Sequence, residues 1–224
     1  MAYLKQNDYL PGTEAWDNMC GAYCTTYLLT ETQVASFKGD NEQGSIQLNG
    51  QEKNARDFVF DLYHGTEVTN GVKLGENDKE VIPDYSCPVK IKDYLTQVQS
   101  VQGIQLYFDP TKGSRTVLEQ QDMENVFKGL KVEVQQLGSG DWYLIALLND
   151  RTDEEETKET YGACHYVLLV KKGKTLKMID PLVGQEQMIE NPEVFLAGQN
   201  PDARVLSGEF NYKFLRAGIY IAAN

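Results

Sequence analysis

The chain has 224 residues, of which 41% are hydrophobic and 10% aromatic, a composition that supports a globular core. Its formal net charge of −12 at pH 7 argues against a general nucleic-acid binder and against adhesion to an anionic membrane, because little positive charge is present to meet phosphates. The sequence contains neither a segment of signal-peptide type nor a run of about 18 apolar residues. We therefore expect a protein made in the cytosol, and export by a specialised secretion system without a cleaved signal peptide stays open.

An apolar helix is predicted to begin in the segment DNMCGAYC, with Asn18 as the N-cap residue and Cys20 in the first turn. Leu28 and Leu29 belong to its apolar stretch. Residues 37–50 are predicted to form a loop or a small excursion. Further helices are predicted over residues 53–65, 87–101 and 116–130.

The second half of the chain carries the strongest strand signals, which are apolar runs containing β-branched and aromatic residues. Predicted strands cover residues 103–109, 131–137, 141–148, 164–170, 175–180 and 212–222. Because helices come first and antiparallel strands follow, we predict an α+β fold. The whole chain, residues 1–224, is expected to be one domain, with a helical part at about 14–130 and a sheet part at about 131–224.

The stretch HYVLLVKKGKTLKMIDP is predicted to be a β-hairpin that places a histidine beside an aspartate. A two-residue loop at residues 172–173 would put Lys171 opposite Lys174 and His165 opposite Asp180. Residues directly opposite each other in an antiparallel pair have Cβ atoms roughly 4.5–5.5 Å apart, which suits a hydrogen bond between a carboxylate and an imidazole. Such a pair supplies the base and the orienting group of a catalytic triad.

Cys20 is the candidate nucleophile. A thiol reacts as the thiolate, which the N-terminus of a helix and a neighbouring imidazolium both favour. Gly21 and Ala22 are small and are expected to let substrate and histidine approach the sulfur, whereas Cys24 is expected to be a buried core residue. A purely structural role for Cys20 and for the His165–Asp180 pair is the competing interpretation.

Three short motifs carry a resemblance to a known family: CGA at residues 20–22, HYV at residues 165–167 and DP at residues 180–181. Together they resemble the papain-like cysteine peptidases, and most closely the branch that contains the bacteriocin-processing, double-glycine leader peptidases. The resemblance covers about residues 14–30 and 140–190 and implies a papain-like fold, in which an N-terminal helix carrying the cysteine packs on an antiparallel sheet carrying the histidine and the aspartate.

The same resemblance implies a thiol hydrolase that cleaves an amide bond in a peptide or protein through Cys20, His165 and Asp180. Type III secreted effector proteases and glutamine deamidases share this architecture, so a protein glutamine deamidase is one alternative. A non-catalytic binding protein that keeps the fold is another. No cofactor, nucleic-acid partner or membrane partner is expected.

One position departs from the family pattern. The family usually carries a glutamine six residues before the nucleophile, and this chain has Glu14 there. An ionised glutamate would repel the negative charge that develops on the substrate oxygen, and losing one oxyanion donor typically costs about 10²–10³ in rate. Asn18, Gln6 or Asn7 is a candidate replacement donor, and a protonated Glu14 or a degenerate enzyme is a further possibility. Cys24, which has Asn18 six residues before it, is a lower-ranked alternative nucleophile, because it would lie inside the helix without small flanking residues.

The remaining candidates have more ordinary interpretations. His64 lies near a predicted helix C-terminus, where histidine commonly stabilises the helix dipole. Cys164 is expected to point to the sheet face opposite His165 and to be structural. Trp16 and Trp142 are expected in the core or the wall of a cleft, and the cysteine and histidine spacings do not indicate a metal site.

Overall fold

The computed structural model describes residues 3–6, 19–39, 43–66, 86–98, 101–108, 137, 140–149, 164–198, 204–207 and 210–223. The helices in these residues are α1 (Cys20–Glu31), α2 (Ala55–Thr66), α3 (Pro88–Gln97) and α4 (Pro192–Ala197). The strands are β1 (Ala35–Lys38), β2 (Ser45–Leu48), β3 (Gln51–Asn54), β4 (Ile104–Phe108), β5 (Trp142–Asn149), β6 (Cys164–Lys172), β7 (Thr175–Asp180), β8 (Gln185–Met188), β9 (Val205–Ser207) and β10 (Phe210–Ala222). Helices combined with antiparallel sheets confirm the predicted α+β class.

A small antiparallel sheet, ordered β1-β2-β3, occupies the region that was predicted to be a loop. The prediction overlooked the dipeptide Asn49-Gly50, which connects β2 to β3 with φ values of 52° and 78°. Positive φ at both central residues is the mark of a type I′ turn, and Asn-Gly is the strongest short sequence signal for a hairpin. The region therefore forms a small separate sheet, and its strands were not predicted.

The main sheet has the strand order β4-β10-β5-β6-β7-β8, and β9 pairs with β10 beside this path. Every pairing in it is antiparallel. Side chains alternate along β5, so that Tyr143 and Ile145 join one core cluster while Trp142 and Leu144 join another. The first cluster includes residues of α1, α2 and α3, and the second includes Phe195 of α4. Both faces of the central strands β5 and β6 are buried, which explains why their sequences are almost continuous apolar runs.

The β6–β7 hairpin forms as predicted, but in a different register. Lys172 pairs with Thr175 and Leu168 with Ile179, so the two turn residues are 173–174 and not 172–173. Gly173, at the first turn position, has a φ of 57°, as in a type II′ turn, which requires glycine there. The glycine therefore moves the turn by one residue relative to the prediction.

The other predicted elements divide into confirmed, corrected and undescribed ones. α1, α3, β4, β5, β6, β7 and β10 are confirmed, and α2 begins at Ala55 because the residues before it belong to β3. The predicted helix at 116–130 and strand at 131–137 lie outside the described residues, apart from residue 137. Among the described residues, four strands precede residue 131. Among the helices that the structure describes, none is long and apolar enough to cross a membrane.

Candidate active site

Cys20 occupies the first position of α1, as predicted, but the N-cap differs. Met19 is the N-cap residue and contributes no side-chain hydrogen bond to the helix, so the assignment of the cap to Asn18 was wrong. Asn18 itself and Glu14 lie outside the described residues. Cys20 is 5% exposed, and its thiol accepts a hydrogen bond from the main-chain N–H of Tyr166, at 3.4 Å from nitrogen to sulfur. This bond joins the start of α1 to the beginning of β6.

His165 and Asp180 are hydrogen-bonded, although they are not opposite each other. The observed register, continued past Leu168 and Ile179, places Asp180 opposite Val167, two residues along β6 from His165. Diagonal neighbours on a sheet have Cβ atoms roughly 7–8 Å apart, which two polar side chains can span. Nε2 of His165 lies 2.9 Å from Oδ1 of Asp180, so the predicted contact exists for a different geometrical reason.

The Asp180 carboxylate is fixed by the turn that follows it. Its Oδ1 also accepts the main-chain N–H of Leu182 at 2.9 Å, and its side chain is fully buried. Such a short-range bond from an aspartate to the backbone two residues later is typical of an Asx turn. The carboxylate therefore presents Oδ1 to the imidazole in an orientation set by the local backbone.

The His165 imidazole is positioned between an acid and a thiol. Burial lowers the pKa of His165, but hydrogen bonds with Asp180 and with Cys20, together with their negative charges, outweigh burial and raise the pKa to about 9. Because Nε2 is bound to Asp180, Nδ1 is the ring nitrogen left for the Cys20 thiol. The arrangement links a thiol, an imidazole and a carboxylate in series, and it favours a protonated imidazole at neutral pH.

Cys24 lies one turn below Cys20 and has a different environment. It is fully buried, and burial raises the pKa of its thiol well above the ordinary value, with the charge of Cys20 acting in the same direction. A thiol whose charged form is disfavoured is a poor nucleophile. The expectation that Cys24 is a core residue is confirmed.

Two residues of the site's surroundings were missed by the sequence analysis. The ring of Tyr212, on β10, stacks on the His165 imidazole with centroids 5.3 Å apart and an interplanar angle of 23°. Ser86 packs against Gly21, where an added Cβ would lie 2.5 Å from the Ser86 Cβ. Gly21 therefore makes room for Ser86, and the prediction that it makes room for substrate needs this correction. No pattern in the sequence pairs these distant residues.

Gln6 is the one oxyanion candidate that the structure describes. It is 2% exposed, and its main-chain N–H donates to the carbonyl oxygen of Pro181 at 2.8 Å. Pro181 directly follows Asp180 in the chain. Gln6 is therefore held next to the acid of the candidate triad.

The other candidates lie apart from this arrangement or outside the described side chains. His64 is exposed in the last turn of α2, where the edge-on ring of Phe60 is 4.3 Å away between centroids. Trp142 is fully buried in the core, whereas Trp16 and the side chain of Cys164 are outside the described set. Within the described part of the chain, no group of three or more His, Cys, Asp or Glu side chains is placed to hold a metal ion.

Comparison with protein-family models, with curated protein sequences and with solved structures found no match to this chain.

Proposed function

We propose that the protein is a papain-like thiol hydrolase that cleaves an amide bond through Cys20, His165 and Asp180. The observation that carries this proposal is the position of one imidazole, which bonds to the Asp180 carboxylate at 2.9 Å and also contacts the Cys20 thiol. Nucleophile, base and orienting group are the three parts that covalent amide hydrolysis needs from side chains.

The fold supports the same proposal. α1 begins with Cys20 and packs on the face of the main sheet that carries Ile145 and Leu168. His165 and Asp180 lie on two neighbouring antiparallel strands of that sheet. A cysteine-bearing helix on an antiparallel sheet that supplies histidine and aspartate is the layout expected of a papain-like enzyme.

In the proposed reaction the Cys20 sulfur attacks the carbonyl carbon of the substrate amide. His165, which holds the thiol proton on Nδ1, delivers that proton to the leaving nitrogen, and an acyl thioester with Cys20 remains. Water then attacks the thioester with His165 as the base, which releases the acid and restores the thiol. Asp180 keeps Nε2 engaged throughout and so maintains the ring orientation.

The negative charge on the substrate oxygen needs hydrogen-bond donors. The main-chain N–H of Cys20 is at the first position of α1, where helix geometry offers no intrahelical acceptor, and it serves as one donor. The side-chain amide of Gln6 is proposed as the second donor, because Gln6 is buried and fixed next to Pro181. This assignment replaces the glutamine that the family pattern would place at position 14.

Alkylation tests the reactive pair without knowledge of the substrate. We expect iodoacetamide at neutral pH to label Cys20 ahead of Cys24, and we expect His165→Ala to slow the labelling because the base that accepts the thiol proton is lost. Cys24→Ala is the matched control and should leave the labelling of Cys20 unchanged. A Cys20 that reacts at the same rate with and without His165 would contradict the proposed pair and support a non-catalytic binding protein.

The reaction itself is identified by the mass of the products after incubation with candidate peptides and proteins. Cleavage changes fragment lengths, whereas deamidation of a glutamine adds about one dalton, since OH replaces NH₂. Either product should disappear with Cys20→Ala and with His165→Ala. Full activity in Cys20→Ala would refute the assignment of the nucleophile.

A further inference from the structure

Residues 3–6, which we call the N-terminal arm, lie against the turn that connects β7 to β8. The main-chain N–H of Gln6 donates to the Pro181 carbonyl oxygen at 2.8 Å. Gly184 faces the arm so closely that an added Cβ would lie 3.0 Å from the Cβ of Lys5. Gly184 also has a φ of +62°, a conformation that side chains disfavour. Glycine at this position therefore allows the arm and the turn to be in direct contact.

α1 holds the other side of the arm. The Tyr3 hydroxyl donates to Oε1 of Glu31 at 2.6 Å, and Lys177 lies 3.3 Å from the second oxygen of the same carboxylate. The hydroxyl of Tyr27 donates to the main-chain carbonyl of Leu4. Tyr3 and Leu4 are both buried. The arm is therefore fixed between the end of α1 and the sheet, and its position depends on side chains as well as on the backbone.

The turn that the arm contacts is the one that orients the acid of the site. The N–H of Leu182 donates to Oδ1 of Asp180 at 2.9 Å, and the N–H of Gly184 donates to the Asp180 carbonyl oxygen at 2.8 Å. The same Oδ1 receives the His165 imidazole. A displacement of this turn therefore changes the direction in which the carboxylate points.

We propose that the N-terminal arm is a positioning element for the His165–Asp180 pair: by holding the turn after Asp180, it keeps the carboxylate aligned with the imidazole. Release of the arm then uncouples the imidazole from its acid, and the arm becomes a place where activity is regulated. The regulatory consequence rests on the proposed hydrolase, whereas the effect of the arm on the imidazole does not.

The test is a titration of the histidine rings by NMR in the 224-residue chain, which has two histidines. The exposed His64 serves as the internal reference. Gln6→Pro removes the N–H that bonds to Pro181. We expect the pKa of His165 to fall by at least about one pH unit, because the Asp180 hydrogen bond that raises this pKa is weakened while the burial that lowers it remains. Cys20, Asp180 and Tyr212 contact the His165 ring, and Gln6→Pro alters none of these three.

A folded Gln6→Pro protein with an unchanged His165 pKa would overturn the proposal. If this variant does not fold, Tyr3→Phe is the second test. It removes only the hydroxyl, which bonds to Glu31 on α1 and also lies within 3.4 Å of Glu186 and Lys177 on the sheet. Tyr107→Phe is the matched control, because Tyr107 is a buried tyrosine on β4, at the opposite edge of the sheet from β8. A lower His165 pKa in Tyr3→Phe than in Tyr107→Phe supports the proposal, and equal values overturn it. Because the readout is a pKa, this result stands whether or not amide hydrolysis is detected.

Discussion

The substitution Gly21→Ala tests how closely the start of α1 packs against the segment before α3. An alanine Cβ would lie 2.5 Å from the Cβ of Ser86 and 2.9 Å from its Oγ. Ser86 has little freedom to move away, because it is fully buried and its carbonyl oxygen accepts the Tyr166 hydroxyl at 2.9 Å. The clash involves an atom next to the backbone and not the end of a flexible side chain.

The expected cost follows from this geometry. Forcing extra atoms into a packed core costs about 1–3 kcal/mol. The better helix propensity of alanine returns at most about 1 kcal/mol. A 2.5 Å approach to an atom next to the backbone belongs at the upper end of that cost, about 2–3 kcal/mol, so after a return of about 1 kcal/mol we expect Gly21→Ala to lower the free energy of unfolding by about 1–2 kcal/mol and to displace the neighbouring Cys20 from His165.

Urea denaturation of a double-mutant cycle measures the effect. Ser86→Gly removes the two closest of the three atoms that the alanine would meet and leaves Cδ1 of Ile91, at 3.2 Å, so Gly21→Ala should cost less in that background by about 1 kcal/mol or more. Gly65→Ala is the matched control on α2, where an added Cβ has no atom within 4 Å. It should be neutral or stabilise the protein by up to about 1 kcal/mol. Gly21→Ala at wild-type stability, or additive effects with Ser86→Gly, would refute the packing argument.

Three further predictions concern the site. The pKa of His165 is raised from 6.5 to about 9, so its charged form stabilises the fold fully below pH 6.5, and this contribution is lost as the pH rises through 9. The difference in unfolding free energy between wild type and His165→Gln should therefore shrink by up to about 3 kcal/mol across that range, and a constant difference would contradict the shift. Asp180→Asn should lower the His165 pKa, measured by NMR, because Cys20 is then left as the group that raises this pKa against the lowering effect of burial. An unchanged pKa would mean that the 2.9 Å bond between His165 and Asp180 is absent in solution. Gln6→Ala should lower kcat by about 10²–10³ with little change in KM, and an unaltered kcat would assign the oxyanion to another donor.

The candidate triad was accessible from the sequence because its chemistry uses scarce residues. Only two histidines exist, and His165 is the one in a strand that turns back into a second strand ending in aspartate. The residue types and their order were enough to propose Cys20, His165 and Asp180 as partners. The register of the hairpin could not be predicted from the sequence. A Lys-Lys-Gly-Lys turn allows two adjacent two-residue loops, and the choice between them depends on which position takes a positive φ.

The sequence by itself determined the helix that begins at Cys20, the apolar strands and the α+β class, because these depend on local patterns of apolar residues. Only the tertiary structure decided what surrounds the site: Tyr212 on the imidazole, Ser86 against Gly21, and the N-terminal arm beside the turn after Asp180. Each of these contacts joins segments far apart in the chain. Their partners are chosen by strand order and by the path of the backbone, which no local periodicity encodes.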